Sequence, residues 1–165
     1  MHSEQKQRLE NAVDNIEAAR LLAHQRYFDI AVTRAYYAMF YAAEALLLKY
    51  GLTFRQHDPV IDHFQQLFAD AEPLFQPYQN YLREAYAARL EADYRPLNRA
   101  KADDALRQIR RAENFVCVAE GYLNPHLSAA EGSSAPRPLA PPLVASERPR
   151  FNDVGFNGAG FSNVA

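Results

Sequence analysis

Hydrophobic positions recur at helical spacing through most of the first 127 residues. Residues 3–25 open on Ser3, a favourable N-cap, and set Leu9, Ala12/Val13, Ile16, Ala19 and Ala23 along one face. Tyr27-Phe28-Asp29 breaks that pattern, and Asp29 is placed to cap a second helix running to Gly51, a residue suited to the C′ position. Asp58-Pro59 reads as a cap followed by an N1 proline, opening a third helix with Val60, Ile61, Phe64, Leu67 and Phe68. A fourth helix is expected from about Tyr78 to Asp93, with Tyr78, Leu82, Ala85/Tyr86 and Arg89 on one stripe. Pro96 stops it, and a fifth helix runs from about Ala100 to Tyr122. No window alternates as a strand would. The predicted fold class is all-α, an up-and-down antiparallel bundle of about five helices.

Beyond Leu127 the pattern ends. Residues 128–165 hold Pro136, Pro138, Pro141, Pro142 and Pro149 and four of the chain's 6 glycines, while all 10 tyrosines lie earlier. Such a stretch buries too little apolar surface to offset its ordering entropy. The expected organisation is therefore a helical domain over 1–127 and a disordered tail over 128–165. Within the tail Phe151, Phe156 and Phe161 recur every five residues, a spacing that suits either a drifting low-complexity end or a short docking motif for a partner.

Composition narrows the function classes. The 165 residues carry 18 basic and 20 acidic side chains, a formal charge of -2, which argues against general electrostatic binding to nucleic acid or an anionic membrane. With 1 cysteine no internal disulfide forms, and no Cys/His group has zinc-ligand spacing, so neither a metal nor another cofactor is expected. Cys117 falls beside Phe115, Val116 and Val118 and reads as core. The N-terminus lacks an apolar signal core, and no apolar run is long enough to span a bilayer. A soluble, cytoplasmic protein is expected.

The second helix is the most distinctive segment. From Ala35 to Leu48, AYYAMFYAAEALLL, every residue but Glu44 is apolar or aromatic. A helix apolar all round is the buried centre of a bundle, or is shared between a bundle and a dimer interface. Arg34 and Glu44 bracket the run; each is either solvated or, if buried, in need of a partner.

These residues resemble a known family. The stretch from Ala31 to Leu47, the preceding Tyr27-Phe28-Asp29 and the later Arg89-Leu90-Glu91-Ala92-Asp93-Tyr94 are similar, in order and spacing, to small stand-alone HEPN-domain proteins. The resemblance covers roughly residues 5–125. It implies a helical bundle that forms a homodimer, an RNA or nucleotide ligand, and a nucleotidyltransferase partner in a toxin–antitoxin pair. It also implies a ribonuclease signature, an arginine followed four to six residues later by histidine. Arginine would grip phosphate and histidine would move a proton, without metal. Arg89 occupies the arginine position, but the next candidates are Tyr94, Arg95 and Pro96. The motif is incomplete, which favours a non-catalytic binding module over a divergent ribonuclease using Arg89 with Tyr94 or His57. A scaffold acting through its tail is the third alternative.

The candidate ligand-binding residues are accordingly Arg89, Asp93, Tyr94, Arg95, Arg55 and His57, with Arg99 as further positive charge. His57 matches a histidine that the resembling family often carries between the second and third helices. Asp93 fits either an i,i+4 pair with Arg89 or a place in the site. On the fifth helix Arg107, Arg110 and Arg111 are expected to be balanced by Asp103, Asp104 and Glu113 on a solvated face.

Overall fold

A computed structural model describes residues 1–94 and 100–124, with only the helical backbone of Asp93 and Tyr94; these residues fall in the compact unit Met1–Gly132. The Phe151, Phe156 and Phe161 repeat and the expected tail lie outside the described residues. Five α-helices form an all-α bundle: α1 (Ser3–His24), α2 (Phe28–Leu47), α3 (His57–Phe64), α4 (Gln76–Tyr94) and α5 (Ala102–Leu123). A 3-10 turn, Leu48–Tyr50, extends α2, and a wider turn, Gln65–Ala69, extends α3. Among the described residues there is no strand, and no helix is long and apolar enough to cross a membrane.

The central position of α2 follows from its composition. It packs against all four other helices. Ala12 and Ala19 of α1, with Ala35, Ala38, Ala42 and Ala45 of α2, are wholly buried, and residues without bulk let helix axes approach closely. Gln5 strengthens that contact by donating from Nε2 to Ala45 O at 3.3 Å. The helix is not buried all round, however. Ile30 and Arg34 are exposed, and Tyr37 and Tyr41 are half-buried. Glu44 is paired with Arg8 at 3.4 Å, and burial raises its carboxyl above the usual range while Arg8 opposes the rise.

Aromatic rings fill the space between α3, α4 and α5. Phe64, Phe68, Phe75 and Phe115 are fully buried. Phe64 lies 5.2 Å from Phe115 and 6.1 Å from Phe75, and Tyr78 stacks on Phe115 at 4.9 Å. Burying rings of this size contributes strongly to the apolar gain of folding. Nearby, Tyr122 Oη donates to Glu72 and accepts from Lys49 Nζ at 3.1 Å, tying the end of α5 to the turns after α2 and α3.

Several helix starts differ from expectation. Ser3 is inside α1; the N-cap is His2, whose N–H donates to Gln5 Oε1 at 2.9 Å. Tyr27 rather than Asp29 is the N-cap of α2. Asp29 is freed to accept the Ala100 N–H at 2.9 Å, which fastens the approach to α5 onto the start of α2. Gln56 rather than Asp58 caps α3, so His57 becomes the first residue of that helix. Glycine at 51 meets its expected geometry, with φ 71.

Candidate functional site

Three helices bring their polar and aromatic side chains together around one histidine. On α2, Tyr36 and Phe40 are one turn apart and both point inward, while Tyr37 beside them is half-buried. On α4, Tyr86 and Arg89 are three residues apart and share a face. The start of α3 delivers His57 between them. Its ring lies 4.6 Å from Phe40, 5.7 Å from Tyr36, 5.9 Å from Tyr37 and 5.8 Å from Tyr86, stacked on the last. The Arg89 guanidinium carbon lies over the Tyr37 ring, 5.6 Å from its centroid.

One hydrogen bond organises the cluster. Tyr36 Oη and His57 Nδ1 are 2.7 Å apart. Tyr36 is wholly buried, and a buried hydroxyl that makes no hydrogen bond costs about 1–3 kcal/mol. Burial, reinforced by Tyr86 and opposed by Arg89, holds the Tyr36 hydroxyl far above the usual tyrosine range. The His57 imidazole moves the other way. Burial first, and then the Arg89 cation, lower it from 6.5, with Asp58 opposing. At neutral pH Tyr36 and His57 are therefore neutral, beside the Arg89 guanidinium and with the Asp58 carboxylate near the imidazole. Such a set offers hydrogen-bond donors to an anion.

Of the residues singled out from sequence, Arg89 and His57 converge here. The side chains of Asp93 and Tyr94, and all of Arg95 and Arg99, lie outside the described residues. Arg55 is exposed and makes no hydrogen bond or ion pair among the described residues. In the sequence Tyr36 and Tyr37 are part of the apolar and aromatic run of the second helix, and Tyr86 lies on the stripe of the fourth. The link from Tyr36 to His57 crosses 21 positions and leaves no local spacing signal. His63 does not join the cluster; its Nδ1 bonds to Pro59 O at 2.8 Å and its ring lies 4.5 Å from Phe54.

Elsewhere two expectations are corrected. Cys117 is exposed, because the buried stripe of α5 is Ala105, Gln108, Ile109, Ala112, Phe115, Val116 and Ala119, and position 117 falls on the opposite side. Glu113 does not serve the α5 arginines; it pairs with Arg20 of α1 at 2.7 Å. Arg111 instead reaches Glu84 at 2.6 Å, and Arg107 reaches Asp104 at 2.6 Å. A cavity of about 210 Å³ beside α5 is lined by Asp29, Glu91 and Asp104 as well as Arg107, a carboxylate-rich set ill suited to phosphate. Among the described residues no group of three or more His, Cys, Asp or Glu is gathered to hold a metal.

Comparison with known proteins gives a family model described as "HEPN domain" that matches residues 5–122. "UPF0332 protein glr0978" of Gloeobacter violaceus is 35% identical over 124 residues, 74% of this chain and 98% of its own. Two Methanocaldococcus jannaschii proteins are also similar. "Putative toxin MJ0142" is 31% identical over 70% of this chain and 78% of its own, and "Putative toxin MJ0605" is 34% identical over 66% and 80%.

Proposed function

Because the chain belongs to the HEPN domain family, we propose that it is a toxin-type binding module that engages RNA or nucleotide phosphate through Arg89 and His57. The observation that carries this reading is their convergence on the Tyr37 ring from two different helices. Arginine supplies a two-pronged donor matched to phosphate, and the neutral imidazole supplies another. The names of two relatives support the toxin context. The protein acts as a homodimer, a reading supported by the half-exposed Tyr37 and Tyr41 side of α2, and it is governed by a nucleotidyltransferase partner.

Fluorescence anisotropy with a labelled single-stranded RNA, in EDTA and across a salt series, tests the proposal. Expected is binding whose log–log salt slope reflects about -0.7 per phosphate contacted, and which Arg89→Gln weakens. Binding unaffected by Arg89→Gln would refute it. A second reading, metal-independent cleavage, is favoured by a neutral histidine beside Arg89. It predicts RNA fragments from the same EDTA samples on a denaturing gel.

A further inference from the structure

Tyr36 has one hydrogen-bond partner among the described residues, His57 Nδ1 at 2.7 Å. Two arrangements fit that distance. In one the hydroxyl donates to Nδ1; in the other Nδ1–H donates to the hydroxyl oxygen. The second leaves the hydroxyl hydrogen of a wholly buried tyrosine with no acceptor, a state that folded proteins avoid. The first satisfies both groups. It places the single proton of the neutral imidazole on Nε2, since a neutral histidine has one donor and one acceptor nitrogen. No hydrogen bond of Nε2 is made among the described residues, and His57 is only half-buried.

We propose that Tyr36 is a positioning residue that locks His57 in its Nε2–H form, so that this histidine can donate to a phosphate beside Arg89 but cannot serve as the base that cleaves its ester. The inference rests on the phosphate-binding reading above. Cleavage of RNA by its own 2′-hydroxyl needs a lone pair to take the hydroxyl proton as the oxygen attacks phosphorus and the 5′ oxygen leaves. The locked histidine turns its only lone pair inward onto Tyr36. Its outward nitrogen can donate to a phosphate oxygen but cannot accept a proton. Arg89 offers donors and no acceptor. His57 is therefore able to share the grip on phosphate and unable to supply the base.

The groups facing His57 agree with this assignment. Tyr36, Tyr37 and Phe40 come from α2, Asp58 from α3, and Tyr86 and Arg89 from α4. Among those placed by the structure, Asp58 alone favours a protonated ring, and it is outweighed by burial and Arg89.

The test is a long-range proton–nitrogen spectrum of the ¹⁵N-labelled full chain at pH 7.5, with the His57 signals assigned by their loss in His57→Gln. The expected result is a single Nε2–H tautomer in the native protein and a mixture of tautomers in Tyr36→Phe. A native His57 protonated on Nδ1 overturns the lock, and so does an unchanged tautomer in a folded Tyr36→Phe. If Tyr36→Phe does not fold, the native spectrum decides alone. Titration with inorganic phosphate should shift the Nε2–H signal, with the affinity roughly tenfold or more weaker in Arg89→Gln. An Nε2–H signal that phosphate leaves unmoved would remove the binding reading while the tautomer stands. RNA cleavage in EDTA that His57→Gln abolishes would overturn the inference.

Discussion

Replacing Arg26 by glycine should stabilise the bundle. Arg26 has φ 67, in the left-handed region, at the residue where α1 gives way to α2. Its N–H bonds to Ala23 O at 3.0 Å, and the next N–H, of Tyr27, bonds to Leu22 O at 2.8 Å. This pair of bonds closes a helix through a left-handed C′ residue, a position glycine fills most easily. A side chain there costs about 1–2 kcal/mol. Glycine removes that cost and gives back about 0.5–1 kcal/mol through its freer unfolded chain. Arg26 is exposed and its side chain makes no hydrogen bond or ion pair among the described residues, so little else is lost. The net gain is about 0.5–1 kcal/mol, or roughly 2–5 °C in Tm for a domain of this size. Arg26→Ala is the matched control, because it removes the same charge but keeps Cβ. Thermal unfolding followed by circular dichroism should show Arg26→Gly above both the native chain and Arg26→Ala. An equal rise in Arg26→Ala would assign the effect to charge, and a fall in Arg26→Gly would refute the backbone argument.

Further outcomes follow from packing, exposure and titration. Phe64→Ala should lower stability by about 3–5 kcal/mol through the cavity it opens among Phe68, Phe75 and Phe115. Leu21→Ala, at a position 64% exposed, should stay within about 0.5 kcal/mol, and urea midpoints compare the two. The native fold favours neutral His57, so its contribution is present above the unfolded value near 6.5 and is lost as pH falls below it. Urea midpoints at pH 7.5 and 5.5 should therefore fall further for the native chain than for His57→Gln; equal falls would contradict the assignment. Cys117 should react stoichiometrically with a thiol reagent in the folded protein, and reaction only on unfolding would return it to the core.

The helical plan was legible because apolar spacing is a local signal. All five helices appear where the pattern put them, and the AYYAMFYAAEALLL run does form the centre of the bundle. The helix starts shifted because capping is decided by tertiary competition: Asp29 serves Ala100, 71 positions away, rather than its own helix. Glu113 escapes a local reading for a similar reason, since its partner Arg20 lies 93 positions away in sequence. Cys117 reads as core because Val116 and Val118 flank it, yet one step along a helix turns a side chain by about 100°.

The candidate site shows the same limit. A motif search along α4 looks for histidine after Arg89 and finds Tyr94, Arg95 and Pro96. His57 reaches the arginine from α3, through a loop whose course no spacing rule predicts. Tyr36 and Tyr37 were legible as apolar bulk. Their polar roles depend on which neighbour each ring meets, and that is settled only by packing.

The central claim is that Arg89 and His57, from separate helices, act on one phosphate. A double-mutant cycle on RNA affinity, using Arg89→Gln, His57→Gln and the double variant at one fixed salt concentration, tests it most directly. The account predicts that each single change weakens binding and that the double variant departs from the product of the two by at least about 0.5 kcal/mol, somewhat more than twofold. Losses that simply multiply, within about 0.3 kcal/mol, would mean that the two residues serve different contacts and would contradict the shared site.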